Sequence, residues 1–283
     1  MKRKKKLAVP VYILILIAIL LAIIIYSMLA PSIYKIDLAS ISLRDRMKKP
    51  SIFGLSDSGH IFGTDYMGRD VFIRMWYATR TSLLVSFSGL VISILLGTAL
   101  GIAAGLHSGR VDDIIMFLIN VRISIPAIVI GIVVATIFGS GQTVMIVLIG
   151  CIYWTNFARL VRGEILRIKT ENFIECSRAI GASSIRILFE HIIVNIASPL
   201  IVTATLNFSS IILFENTLSY LGLGIVPPNT SLGIMVSSGR EQMVGNAWLC
   251  IIPIIMIVII VMSVSLIGDW LRDKLDPKLQ KHS

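Results

Sequence analysis

ENFIECSRAIGASSIRILFEHIIVNIASP, residues 171–199, is the long polar interruption in the C-terminal half of a very apolar chain. Wound as a helix, it places Phe173, Cys176, Ser177 and Ile180 at i, i+3, i+4 and i+7, one modestly apolar face. Gly181 then stands where a helix end favours a residue that tolerates positive φ. Ser183 and Ser184 offer a hydroxyl N-cap to a second helix, with Ile185, Leu188, Phe189 and Ile192 along one stripe. The stretch predicts a short helix, a glycine break and a second helix that runs into the next apolar segment.

What surrounds it is membrane-like. The chain has 283 residues, 55% of them hydrophobic and only 15% charged, where a soluble domain carries about 25% charged residues. Its mean hydropathy is +0.87. This is the composition of an all-α polytopic membrane protein in contact with a lipid bilayer. A net charge of +10 could suit nucleic acid. The basic residues, however, lie in loops and tails between apolar runs, so membrane topology accounts for them and no nucleic-acid partner is expected. Cys151, Cys176 and Cys250 lack C-x-x-C spacing, and His60, His107, His191 and His282 are scattered. Neither a disulfide framework nor a metal site is expected.

Six spans are predicted. A basic head is followed by an apolar run over residues 7–30, longer than the roughly 7–15 residues of a secretory signal core. Met28 also makes a poor cleavage position, so residues 1–30 read as a cytoplasmic head and an uncleaved first span. Residues 31–80 form an extracytoplasmic loop in which Gly63, Asp65, Gly68 and Asp70 suit turns. The loop ends in an interfacial helix carrying Arg74 and Arg80. Residues 81–270 hold five more spans, at 83–106, 111–138, 143–157, 196–213 and 248–266. Arg122 and Pro126 move the true start of the third span towards Ser124. Gly97 and Gly101 form a G-x-x-x-G, which allows close helix approach. Trp248 and Trp270 suit interface anchors, and residues 271–283 form a tail.

With the N-terminus in the cytoplasm, the inner segments hold 17 Lys and Arg against 9 in the outer ones. The bias places the head, residues 163–195 and the tail on the cytoplasmic side. No phosphate-cradling G-x-x-x-x-G-K-[ST], nucleophile G-x-S-x-G or H-E-x-x-H occurs, so no catalytic residue is expected. Asn207, Glu215 and Asn216 are the candidates for lining a pathway through the membrane, because polar and ionisable groups at that depth usually face a cavity or a partner. The other reading leaves Glu215 at headgroup level and the asparagines in interhelical hydrogen bonds.

Glu175, Gly181 six residues on, and the following His191–Asn195 run resemble the EAA loop of ABC-importer membrane subunits. Cys176 and Ser177 stand for the two alanines, and Val194 for the usual proline. GTDYMGRDVFIR (residues 63–74), LSYLGLG with Pro227-Pro228, and GDWLRDKLDP near the C-terminus resemble the dipeptide, oligopeptide and nickel permeases of that family. The resemblance implies a type I importer fold in which residues 163–195 form a coupling loop. Phe173, Glu175, Cys176, Ser177, Arg178, Ala179, Ile180, Gly181, Ala182 and Ser183 would then meet an ATPase. It also implies a second homologous permease, two ATPase subunits using ATP and Mg²⁺, and an extracytoplasmic binding protein, with no cofactor bound directly by this chain. Peptides are the expected substrates, with nickel or a metal chelate as the alternative. A membrane scaffold or sensor that recruits a cytosolic partner is the reading from another class.

Overall fold

The computed structural model describes residues 9–35, 40–52, 59–107 and 109–275. The basic head, the last eight residues of the tail and the side chains of Arg178, Ser184 and Ile185 lie outside the described residues. Helix α1, Val11–Ile33, leads through an outer segment to α2, Val71–Leu106; α3, Arg110–Ser124, and α4, Ala127–Phe138, follow, then α5, Gln142–Lys169. Next come α6, Asn172–Ala179, and α7, Ser184–Ile187, which passes through a π-helical turn, Leu188–Ile192, into α8, Ile193–Tyr220. Helices α9, Leu232–Arg240, α10, Met243–Asn246, and α11, Trp248–Leu275, complete the chain. Five helical rods are long and apolar enough to cross a membrane, and α3 with α4 makes a sixth when the bent pair is taken as one span.

Several helices depart from their sequence reading: α8 and α11 run past the expected ends at 213 and 266, to Tyr220 and Leu275, and three spans differ further. The interfacial helix expected before residue 83 is continuous with the span, making α2 a single rod of 36 residues. Its basic residue Arg74 does not sit at a water interface; it is buried against Asp65. Helix α5 continues past Phe157 to Lys169, about 18 Å beyond the expected end of the span. Ile165 and Ile168 are buried along that extension, and Glu164 pairs with Arg167 at 2.7 Å on its surface. The third span breaks at an 88° bend. Ile125 is extended there, and Pro126 both lacks an N–H and disfavours helix in the residue before it.

The centre of the fold is a seam in which α2 and α5 run parallel. A Cβ on Gly97 would stand 2.4 Å from the Trp154 carbonyl oxygen, and one on Gly101 2.7 Å from that of Ala158. Only glycine allows backbones this close, and the G-x-x-x-G is therefore a packing device. Ser93 Oγ, buried in the seam, donates to the Gly89 carbonyl at 2.9 Å and lies 3.2 Å from that of Ile149. Helix α11 closes the other side, its Met256, Ile260 and Val264 packing with Ile23 of α1, Met75 and Leu83 of α2, and Ile212 of α8.

The outer segment is a cap folded on one carboxylate. Asp65 accepts from the backbone N–H of Met67 (2.8 Å) and Arg69 (3.0 Å), from Arg69 Nε (2.8 Å), and from the buried Arg74 guanidinium. Arg74 also reaches Thr230 Oγ1, in the α8–α9 connection, at 3.4 Å. Asp70 caps α2 by accepting from Ile73 N at 3.0 Å and meets His60 Nδ1 at 2.6 Å. Asp65 and Asp70, read from the sequence as turn residues, are thus also the charge partners that tie the cap to α2.

Candidate coupling loop and membrane-embedded polar face

Helix α6 leaves α5 through a turn at Thr170 and is held by one side chain. Ile174 is fully buried against Val161, Ile165 and Ile168 of α5, together with Ile187, Ile192 and Ile196 of the following rod. The helix ends in a Schellman turn: Ala182 N–H donates to the Ser177 carbonyl at 3.0 Å, with Gly181 at φ +88°. Ser183 Oγ then accepts from Arg186 N at 3.3 Å and starts the next helix. The break, the cap and the second helix therefore fall where the spacing placed them. From Ser184 the helix runs through the π-helical turn to Tyr220 without interruption.

Phe173 is 43% exposed and Ile180 is 85% exposed, and Glu175, Cys176, Ala179, Gly181 and Ser183 are exposed beside them. Ala182 is half-buried against the isoleucine cluster. Ser177 Oγ donates to the Phe173 carbonyl at 2.8 Å and lies 3.3 Å from His191 Nε2. The Phe173 ring meets the His191 ring edge-on at 5.7 Å. His191 thus ties α6 to the π-helical turn. Neither Ile174 nor His191 stood out in the sequence. The available signal was that Ile174 is the apolar residue of α6 lying off the Phe173–Ile180 face.

The loop rests on a braced inner end. Arg162 forms a two-pronged pair with Asp112 of α3, at 2.5 and 2.6 Å, and Lys169 Nζ donates to the Leu106 carbonyl at the end of α2 at 2.9 Å. These bonds fix α5, α2 and α3 to one another just above α6.

The three sequence-selected pathway residues separate. Glu215 is fully buried and Asn216 is 5% exposed, both packed inside this chain. Glu215 Oε1 accepts from Ser219 Oγ at 2.8 Å, with Ser82 of α2 and Ser231 of α9 beside the carboxylate. Asn216 Nδ2 donates back to the Ile212 carbonyl at 2.8 Å. These two residues join α8 to α2 and α9 and lie on no open face. Asn207 does: it is half-buried, its Oδ1 accepts from Nδ2 of the exposed Asn156 at 2.6 Å, and its Nδ2 donates to the Thr203 carbonyl at 2.8 Å.

One turn towards Gln142, Tyr153 Oη donates to the carbonyl of the exposed Ser210 at 3.3 Å, and α3, whose Ile119 packs in one cluster with Trp154 and Ala158, brings Arg122 to the same level. On the inner side the polar strip opens into a cavity of about 650 Å³ whose lining includes Glu164, Arg167, Asn195, Ser198, Thr203 and Arg272. Polar residues therefore recur along α5 and α8 from Tyr153 and Ser210 to this cavity, interspersed with apolar ones such as Val194 and Leu206.

These features define a multi-pass helical membrane protein with an exposed loop helix rigidly joined to a span that bears a polar face. The chain belongs to the family of binding-protein-dependent transport system inner membrane components, matched over residues 97–281. It is 34% identical over 279 residues to the oligopeptide transport system permease protein OppC of Bacillus subtilis (strain 168), covering 99% of this chain and 88% of that one. It is also 34% identical over 264 residues to the dipeptide transport system permease protein DppC of the same organism, covering 93% and 81%. Its fold matches an inward-facing MetNI methionine ABC transporter with a TM-score of 0.59 and 20% identity, over 71% of this chain and 97% of that chain. The resemblance read from the loop and the outer cap holds, and with it the all-helical permease fold. The chain is a membrane transport subunit of a family in which ATP hydrolysis belongs to separate subunits.

Proposed function

We propose that this chain is one of two homologous permeases that together enclose the pathway of an ATP-driven importer for di- or oligopeptides. Two ATPase subunits, which use ATP and Mg²⁺, lie on the cytoplasmic side against α6, and an extracytoplasmic binding protein delivers substrate to the outer cap. Both termini then lie in the cytoplasm. No cofactor is held by this chain itself. The peptide substrate is supported by the relatives named as oligopeptide and dipeptide permeases.

The observation that carries this reading is mechanical. Helix α6 leaves Phe173, Glu175, Ala179 and Ile180 free, while Ile174 anchors it to the rod whose continuation bears Asn207 and Ser210. Closure of the ATPases displaces α6, and a packed helix moves as a body. The push is therefore delivered along α7 and α8 to the polar face. Phe173 and Ile180 fill a groove on the ATPase, Glu175 makes polar contacts at its edge, and Gly181 sets the angle. Cys176, Ser177, Ala182 and Ser183 shape the turn.

The test is ATP turnover by the lipid-reconstituted complex with its binding protein, challenged separately with short peptides and with Ni²⁺. Peptides should raise turnover, and replacing Glu175 by Gln together with Gly181 by Val should abolish the rise. Stimulation by Ni²⁺ instead would move the substrate to a metal or its chelate. If no ATPase co-purifies and no ligand changes turnover, the importer reading fails in favour of a scaffold that recruits a cytosolic partner.

A further inference from the structure

We propose that Arg122 is a specificity-determining residue of the pathway, pairing through its guanidinium with a carboxylate of the substrate as it passes mid-membrane. The inference rests on the reading of the α5–α8 polar face as the pathway, and it adds to that reading which chemical group is recognised and by what.

Depth is the first observation. Asp112 of α3 pairs with Arg162 and Ile119 packs in one cluster with Ala158 and Trp154, so Arg122, one turn further along α3, stands at the level of Tyr153, eleven residues into α5 from its end at Gln142. That is about 16 Å along the helix, near the middle of a hydrocarbon layer about 30 Å thick. A cation there is costly unless water or an anion meets it. Polar groups are within reach at this depth: Tyr153, at the same level, bonds the exposed Ser210, and Asn156 is exposed one turn inward.

Lack of a partner is the second. Arg74 and Arg162 each hold an aspartate. Arg122, half-buried, has no acid and no hydrogen-bond acceptor among the described residues, and its Nε is shielded from solvent with nothing to donate to. Tyr153, the one polar side chain beside it, has its hydroxyl engaged with the Ser210 carbonyl. The guanidinium is thus an unspent planar donor at the level of Tyr153.

Chemistry selects the ligand. A guanidinium matches a carboxylate in two parallel hydrogen bonds, and the same charge repels a bare divalent cation. The Asn156–Asn207 pair, 2.6 Å apart one turn inward, presents amide groups of the kind that bond a peptide unit. A small peptide with a free C-terminal carboxylate fits both features.

The experiment compares uptake of a free-acid tripeptide and its C-terminal amide into liposomes holding the complete importer and its binding protein. The readout is the uptake ratio of acid to amide in the wild type, Arg122→Gln and Arg122→Lys. The binding protein enters every arm equally, so its own preference cancels between variants. Arg122→Gln should lower the ratio about tenfold, the worth of one charge-assisted contact, and Arg122→Lys should restore most of it. A fall in both uptakes at a constant ratio, or no change, overturns the inference in favour of a structural or subunit-interface role.

A second measurement bypasses the binding protein. With Cys151, Cys176 and Cys250 replaced by Ser, an Asn156→Cys thiol should be labelled by a membrane-impermeant reagent and protected by the free-acid tripeptide, less so by the amide. Equal protection by acid and amide would overturn the Arg122 inference while leaving the pathway reading intact. An Asn156→Cys thiol that no aqueous reagent reaches, with no peptide uptake by the wild type, would remove the pathway reading itself and this inference with it.

Discussion

The cap before α2 and the loop between α5 and α8 are both polar interruptions that carry a family motif, yet they are built in opposite ways. In the cap, residues 60–74 turn their charges inward: Asp65 collects two backbone N–H groups and two arginines, and Asp70 is shared between His60 and the start of α2. In the loop, buried Ile174 and the edge of His191 against the Phe173 ring hold α6, while Ile180 is left 85% exposed. A segment that satisfies its own polar groups is a finished part. Apolar side chains are exposed on both, Leu43 and Ile61 in the cap and Ile180 in the loop, but a helix held by so few contacts is the one that can follow a partner.

The largest effect should come from the cap. Asp65→Ala leaves Arg74 buried at 6% exposure with its partner gone, and breaking a buried pair on one side costs about 3–5 kcal/mol. The yield of monodisperse protein in detergent and its unfolding midpoint should both fall sharply. If the variant keeps wild-type stability, the cap is not the fixed part described above, and the contrast with the loop disappears.

A matched pair of glycines sharpens the comparison. Gly68 in the cap and Gly181 in the loop both have positive φ, +77° and +88°. A Cβ on Gly68 would stand 1.8 Å from the Ser42 carbonyl oxygen, whereas one on Gly181 would meet nothing within 4 Å. Gly68→Ala must therefore move backbone as well as bear the strain, and should cost about 3 kcal/mol, in the range of overpacked sites. Gly181→Ala bears the strain alone, about 1 kcal/mol. Thermal unfolding of the two variants in one detergent checks the order; equal shifts would mean that the loop turn is as confined as the cap.

Between them lies Ile174→Ala. Removing a buried isoleucine side chain costs about 2–4 kcal/mol where the site cannot collapse. Here the loss is local to α6, so the expected signs are earlier cleavage by protease within residues 170–183 and ATP turnover that no longer responds to ligand. Phe173→Ala removes only the half-exposed ring and its contact with His191, so it should speed cleavage less than Ile174→Ala while lowering ATPase association. The reverse pattern would exchange the roles of anchor and docking residue.

How far the sequence reads ahead follows from what each feature depends on. Spans are legible because hydropathy is summed over some twenty residues, and the Gly181 break is legible because positive φ at a helix end is a local demand. The anchor of α6 was not. Over eight residues Phe173 and Ile174 lie on different faces of comparable apolarity, and the choice is made by α5 continuing twelve residues past Phe157 to offer Ile165 and Ile168. Glu215 was misplaced for a similar reason. Its burial depends on α9 folding back so that Ser231 joins Ser82 and Ser219 around it, sixteen residues on in sequence. The polar face needed α3, α5 and α8 side by side before Arg122, Tyr153 and Asn156 could be seen as one surface.

The smallest effect tests the loop from its charged side. Arg186 and Glu190, one turn apart on the helix after the break, pair at 2.9 Å with 66% and 51% of their side chains exposed. Such a pair gains little in high dielectric and orders two long side chains, so its usual worth is about 0.3–0.5 kcal/mol. Arg186→Ala should therefore leave the unfolding midpoint of the isolated subunit almost unmoved, against the large loss for Asp65→Ala in the cap. If loop charges are kept for a partner and not for the fold, the same variant should weaken ATPase association, and the weakening should shrink as ionic strength rises, because exposed charges are screened. A measurable loss of stability without change in association would assign the pair to the fold. The loop would then share the construction of the cap, and α6 alone would remain as the surface left open.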